Sequence, residues 1–202
     1  METMKRYLVL GVVGLVVGLS LIWGWAFSQP YQVHGSVIDP LQAAPDFSLG
    51  NYHLGGDASA SRAPGKVVVL FFGYTSCADV CPATLNEMKQ ILSRLGDQAD
   101  AVQMVFVTID PAVDAQAKIN SYTAGFDPRI KGLSGSVEDL SAVWQKYGVI
   151  VQKNSNGAVD DASFEHSSRI YVIDRQGRLH VTYTSDTSED DLLADLKYLI
   201  KL

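Results

Sequence analysis

Cys77 and Cys81 are the only cysteines in this 202-residue chain. They stand four apart in Phe71-Phe72-Gly73-Tyr74-Thr75-Ser76-Cys77-Ala78-Asp79-Val80-Cys81-Pro82. An apolar run, Val67 to Phe72, precedes the pair, and a strongly helical stretch follows it. The pattern predicts a strand, a tight turn, and a helix N-terminus carrying both thiols. Backbone N–H groups at a helix start favour negative charge, so a thiolate there is stabilised and its pKa falls. A thiolate is both a nucleophile and a soft metal ligand. On a helical turn, residues i and i+4 share a face, so the two sulfurs can meet. They can close a disulfide or hold one metal ion, although two thiolates are an incomplete set for most metals.

Four histidines are available to complete such a set. His34 falls in a breaker-rich stretch and reads as a solvated residue. His180 alternates with Leu179 and Val181, which puts it on the polar face of a strand with Thr182. His53 precedes Gly55-Gly56 and reads as a loop residue. His166 differs, because Phe164-Glu165-His166-Ser167-Ser168 ends a long loop feeding the apolar strand Ile170 to Ile173. That junction faces the thiols in the sheet predicted below. Position leaves two readings of His166 open, a third ligand or a satisfied structural histidine.

Two acids lie close by. Asp79, between the cysteines, can tune the thiolates or simply cap the helix. Asp110 ends a strand, as an acceptor behind the ligands or as a turn residue before Pro111. Met88 and Met104 read as core residues rather than metal-binding thioethers.

The elements that must position these groups follow from periodicity. Val67 to Phe72 is a continuous apolar strand of the kind buried on both faces of a parallel sheet. After it, Cys81, Leu85, Met88, Leu92 and Leu95 form one helical stripe, ended by Gly96. Val102 to Ile109 is a second apolar strand, and Asp114 to Tyr122 a short helix. Ser136 caps a helix that runs to Tyr147 and stops at Gly148. Ile170 to Ile173 and Leu179 to Tyr183 are strands joined by a turn at Asp174-Arg175-Gln176-Gly177. Ser188 caps a final helix, with acids in its first turn and Lys197 and Lys201 in its last. This order, with thiols at the first strand-to-helix junction, is an α/β, thioredoxin-like arrangement: a central mixed sheet flanked by helices. Its site lies at the C-terminal end of a central strand, where open α/β sheets bind ligands.

The N-terminus sets the compartment. After the short segment 1–6, residues 7–27 carry no charge. As a helix they rise about 32 Å, enough for a hydrocarbon core of about 30 Å. Ala26-Phe27-Ser28 is a small-x-small triplet, so a cleavable signal competes. The run exceeds the usual h-region of about 7–15 residues, which favours an uncleaved transmembrane anchor. Lys5 and Arg6 precede it and the next charge is Asp39, so the positive-inside rule keeps the N-terminus in the cytoplasm and exports the rest. Trp23 and Trp25 fall where an interfacial belt would lie. Residues 28–45, with Pro30, Gly35, Pro40 and Pro45, read as a linker to a single domain over 46–202. Without Glu2, Lys5 and Arg6 the chain keeps 21 acidic and 14 basic residues. So acidic a domain is a poor candidate for nucleic acid or for flat docking on anionic lipid. No internal repeat is present, and the only biased tract is the Gly/Ala/Ser-rich stretch Gly55 to Gly65.

Phe72-Gly73-Tyr74-Thr75-Ser76-Cys77-Ala78-Asp79-Val80-Cys81-Pro82, Thr108-Ile109-Asp110-Pro111, and His166-Ser167 before Tyr171-Val172-Ile173-Asp174 resemble the Sco/SenC family over about residues 46–202. The resemblance implies a membrane-anchored, thioredoxin-like copper protein serving assembly of the dinuclear copper centre of cytochrome c oxidase. It also implies that Cys77, Cys81 and His166 bind copper. Two thiolates and one imidazole suit Cu(I) and can also hold Cu(II). The implied partner is the copper-site subunit of the oxidase. The implied location is a bacterial inner membrane, or its equivalent, with the domain on the extracytoplasmic side. Three departures stand out. Ala78 takes the place of a usual proline, Ala112-Val113-Asp114 lacks the arginine often found before the aspartate, and Leu49 to Lys66 departs from the usual hairpin.

Two function classes therefore compete: a copper metallochaperone, and a thiol–disulfide oxidoreductase that reduces the recipient's cysteines with the same pair. The three-residue spacer differs from the two-residue spacer of dedicated redox motifs. A purely structural disulfide closing so short a loop would add little stability. A peroxidase ranks low, because the expected proline upstream of Thr75 is missing.

Overall fold

The computed structural model describes residues 2–27, 31–54, 65–153, 164–165, 168–184 and 187–202. They fall into two units divided after Gln32. The first is a single helix, α1 (Glu2–Phe27), whose segment Lys5–Gly24 is long and apolar enough to cross a membrane.

The second unit holds a six-stranded sheet. Its strands are β1 (Ser36–Ala43), β4 (Val67–Gly73), β5 (Val102–Thr108), β6 (Lys131–Leu133), β9 (Ile170–Ile173) and β10 (Arg178–Tyr183), in the order β1-β10-β9-β4-β5-β6. β4, β5 and β6 are parallel, whereas β9 runs antiparallel to β4 and β10 antiparallel to β9. A small hairpin joins β2 (Phe47–Leu49) to β3 (Tyr52–Leu54), and β7 (Gln152–Lys153) pairs antiparallel with β8 (Phe164–Glu165). The helices are α2 (Val80–Leu95), α3 (Gln116–Phe126), α4 (Val137–Lys146) and α5 (Glu189–Leu199), with a 3-10 turn at Gly96–Ala101. The unit is thioredoxin-like, as the order of elements predicts.

β4 is buried along its whole length, which is why its seven residues read as an unbroken apolar run. Alternation then divides its aromatics between the two faces. Phe71 meets Phe106 of β5 at 5.9 Å, and Phe106 meets Tyr122 of α3 at 6.0 Å. On the opposite face Phe72 packs on Tyr147 at 5.6 Å and on Tyr171 at 5.8 Å. Gly73 shares the Phe71 face, so α2, which follows it, is laid against that face. The α2 stripe of Cys81, Leu85, Met88, Leu92 and Leu95 is buried, and α5 packs on α2. Met88 and Met104 are core residues, both fully buried.

The structure corrects several expectations. Residues 36–43, read as linker, form the edge strand β1, which tolerates Pro40 because an edge strand does not need every N–H. Gly35 is a packing residue rather than a breaker: a Cβ there would lie 2.5 Å from Val181 Cγ2 and 2.8 Å from the Thr182 carbonyl. His34 is exposed, as expected, and is also held by a buried acid. Its N–H donates to Asp195 Oδ2 at 2.8 Å, and its Nδ1 lies 2.8 Å from Oδ1. α3 begins at Gln116, not Asp114, because Asp114 is used otherwise. The Gly55 to Gly65 tract lies outside the described residues except for Gly65.

Candidate metal centre

The β4–α2 connection, residues 74–79, carries the first thiol. The Cys77 N–H closes a tight turn on the Tyr74 carbonyl at 3.3 Å. Cys77 therefore precedes the helix instead of lying on it. Its sulfur still reaches the helix start, where the Cys81 N–H donates to Cys77 Sγ at 3.4 Å. A helix leaves its first N–H groups without internal partners, and here a sulfur accepts one of them. The two cysteines are brought together by a cap-like contact between the Cys81 backbone and the Cys77 sulfur rather than by a shared helical face. Both cysteines are free thiols; Cys81 is fully buried and Cys77 partly exposed.

Gly73 makes room for the second thiol. A Cβ at that position would stand 2.7 Å from Cys81 Sγ and 2.8 Å from the Phe106 ring. The glycine of the motif is therefore required by a close approach and not by its backbone angles.

The two thiols differ in chemistry. For Cys77, partial burial is the strongest single influence and pushes the pKa up. The N–H groups of Cys81 and Asp79, with the Cys81 and Tyr74 side chains, together outweigh it, so the thiol lies below its ordinary value. Burial pushes Cys81 strongly up; the Tyr74 N–H opposes this, while Cys77 and the Asp114 charge add to it. Cys77 is thus the more accessible and more readily ionised thiol, and Cys81 a sheltered thiol behind it.

Of the acids between and beyond the thiols, Asp79 is exposed at the N-cap position of α2, and its side chain makes no capping bond. Its part in the site is a backbone N–H. Asp110 is buried, and its carbonyl accepts the N–H groups of Val113 and Asp114 at 3.2 and 2.9 Å, the geometry of a turn.

Two residues were not foreseen. Asp114 is fully buried and accepts the Thr75 N–H at 2.9 Å, the Thr75 hydroxyl, and the Thr108 hydroxyl at 2.8 Å. Thr75 and Asp114 are 39 residues apart, so no local pattern signals the contact. Tyr122 of α3 feels burial first and then the charges of Cys81, Cys77 and Asp114, and its phenol is pushed up to about 12. It stays a protonated group beside the thiols at any physiological pH.

His166 lies outside the described residues. The other histidines are placed away from the thiols: His34 on Asp195, His53 on β3 with Ser48 Oγ at 2.6 Å, and His180 3.5 Å from Asp174. Among the described residues no group of three or more His, Cys, Asp and Glu side chains converges on one point. What the described site supplies is two sulfur donors, one of them open to solvent.

Residues 37–201 match the SCO1/SenC family model. The chain is 30% identical over 170 residues to the SCO2-like protein of Rickettsia felis, covering 78% of this chain and 82% of that one. The solution structure of apo Sco1 from Thermus thermophilus superposes with a TM-score of 0.72 at 32% identity, covering 84% of this chain and 98% of that one. Bradyrhizobium japonicum ScoI, solved with copper bound, gives 0.66 at 31% identity, covering 78% and 99%.

Proposed function

The chain belongs to the SCO1/SenC family, and from that premise we propose that it is a copper-binding assembly factor. It hands copper to the dinuclear copper site of a cytochrome c oxidase subunit. Cys77, Cys81 and His166 are the ligands. The observation that carries the reading is the free thiol pair with the Cys81 N–H on Cys77 Sγ, one sulfur accessible and stabilised as an anion. The donor chemistry fits the cargo, since soft thiolates with an imidazole suit Cu(I). Copper-bound Bradyrhizobium japonicum ScoI supports the choice of metal. The topology supports His166: β9 joins the sheet with Ile170 opposite Phe71, at the edge where β4 delivers the thiols.

Handover proceeds by ligand exchange. Cys77, being the more exposed of the two, is the sulfur that an incoming thiolate can replace first. Cys81, fully buried, is released last, so copper is retained until the recipient's donors engage. The apolar helix α1 anchors the protein, and Lys5 and Arg6 before it place the domain on the extracytoplasmic side.

In a test, the full chain in detergent, reduced and without oxygen, is titrated with Cu(I) against a competing chelator. One tightly bound copper per chain, weakened more than about a hundredfold in Cys77→Ser, supports the reading, because losing a ligand exceeds the loss from outer partners. Wild-type affinity in that variant would overturn it.

The asymmetry of the thiols favours one second reading, a thiol–disulfide reductase acting on the recipient's oxidised cysteines. Cys77 thiolate attacks the recipient disulfide and releases one recipient thiolate. Cys81 then displaces the second, leaving a Cys77–Cys81 disulfide and a reduced recipient. A Cys81→Ser protein that traps no mixed disulfide through Cys77 with a disulfide-bonded recipient peptide would dismiss this reading.

A further inference from the structure

We propose that Asp114 is a positioning residue. It fixes the turn carrying Cys77 against the end of β5, and so sets both the copper affinity and the dithiol–disulfide equilibrium of the pair. The copper half of this statement rests on the function proposed above; the equilibrium half does not.

Asp114 is a carboxylate with no exposed surface. Burying such a group is costly unless hydrogen bonds replace its water. Among the described residues its ion-pair partner is Lys118, 3.5 Å away and itself 47% exposed. Satisfaction therefore comes from the hydroxyl and N–H donors. The Thr75 N–H and hydroxyl both come from the cysteine turn, two residues before Cys77, and the Thr108 hydroxyl comes from the last residue of β5. One carboxylate thus ties the turn to the strand beside it.

The backbone of Asp114 is held independently. Its N–H donates to the Asp110 carbonyl at 2.9 Å, and its carbonyl accepts the Ser134 hydroxyl at 2.6 Å, just past β6. The acid is therefore the stationary partner and the turn is the part it holds. Cys77 has its second tether at the helix start, through the Cys81 N–H. Release of Thr75 removes the tether to β5 and leaves Cys77 held by its turn bond to Tyr74 and by the helix start. Both copper capture and disulfide closure need the two sulfurs held together, so both respond to the same tether.

Two kinds of variant separate this role from plain stability. Thr75→Val removes the hydroxyl tether and leaves the buried carboxylate, while Thr75→Ser restores a hydroxyl. Asp114→Ala removes the acceptor altogether. Each is made in the full chain in detergent. Cu(I) affinity is measured by chelator competition, thermal midpoint by circular dichroism, and the dithiol–disulfide equilibrium against glutathione. In that equilibrium two thiols become one disulfide as one glutathione disulfide becomes two glutathione thiols. Thr75→Val and Asp114→Ala should each weaken Cu(I) binding about 10–100-fold, the range for groups that orient ligands. Each should also shift the glutathione equilibrium by about threefold or more, and the double variant should do little more than Asp114→Ala alone. Thr75→Ser should return both values toward wild type. Should Asp114→Ala not fold, the Thr75→Val and Thr75→Ser pair decides. A folded Thr75→Val protein with wild-type equilibrium and wild-type affinity would overturn the proposal and leave Asp114 a stability residue. A wild-type protein that binds no copper would defeat the functional reading, and the glutathione equilibrium would then decide the tether alone.

Discussion

A single missing methyl group lets the buried thiol sit where it does. With Gly73→Ala, the new Cβ would stand 2.7 Å from Cys81 Sγ, with the Phe106 ring closing the other side. Neither neighbour is a flexible chain end, so the sulfur or the strand must shift. Overpacking of this kind costs about 1–3 kcal/mol. Gly73→Ala should therefore lower the unfolding free energy by that amount in denaturant titration and weaken Cu(I) binding about tenfold or more. The thiols also predict their own reactivity. Native Cys77 should be alkylated at least about tenfold faster than Cys81, a gap that mass mapping of labelled peptides would show and denaturant would erase. Because N–H donors and side chains lower Cys77 while burial raises Cys81, the Cys77 rate should persist as pH falls below the ordinary thiol range. The Cys81 rate should vanish there first. Equal rates would remove the basis for assigning the accessible role to Cys77.

At the scale of elements, the first strand is pinned where the chain enters the sheet. Asp195 of α5, fully buried, takes the His34 N–H, faces the His34 ring, and accepts the Tyr183 hydroxyl at 2.6 Å. Asp191 stands 3.5 Å from the other ring nitrogen. The hydrogen bond to Asp195 comes first among the causes that raise His34 above its usual value. A raised histidine stabilises fully below its unfolded pKa of about 6.5, and that stability is lost as pH rises through the folded value. The melting-temperature difference between wild type and His34→Ala should therefore be larger at acidic than at alkaline pH; a difference independent of pH would contradict the ion pair. The helix starts are more ordinary. Ser188 accepts the Asp191 N–H at 3.2 Å and Ser136 the Asp139 N–H at 3.1 Å, so Ser188→Ala or Ser136→Ala should cost about 1 kcal/mol.

These elements show what a sequence can and cannot disclose. β4, β5, the stripe of α2, both serine caps and the β9–β10 hairpin were legible because burial and capping leave local periodic marks. β1 was not, because its residues are mostly exposed and its order comes from pairing with β10, whose partners lie 135 to 146 residues away in the chain. The three-residue strands β2, β3 and β6 are too short to show a period. In the site, the cysteine pair was visible from its spacing. Asp114 was not, because its meaning lies in Thr75 and Thr108, and Tyr122 reads as one more helical aromatic.

At the scale of the molecule, the sheet brings distant parts of the chain to one edge. β4 ends there with Gly73, β5 with Thr108, and β9 starts there opposite Phe71. A site at that edge can draw its donors from three separate segments while each strand stays buried and rigid behind it. The third proposed donor is His166. The decisive measurement is Cu(II) added to the reduced full chain and to His166→Ala, read by absorption, with Cu(I) affinity taken in parallel. Sulfur-to-copper charge-transfer bands and one tightly bound copper in the wild type, both lost or strongly weakened in His166→Ala, are the predicted result. Identical spectra and affinities in the two proteins would contradict a two-thiolate, one-imidazole copper site and with it the central claim.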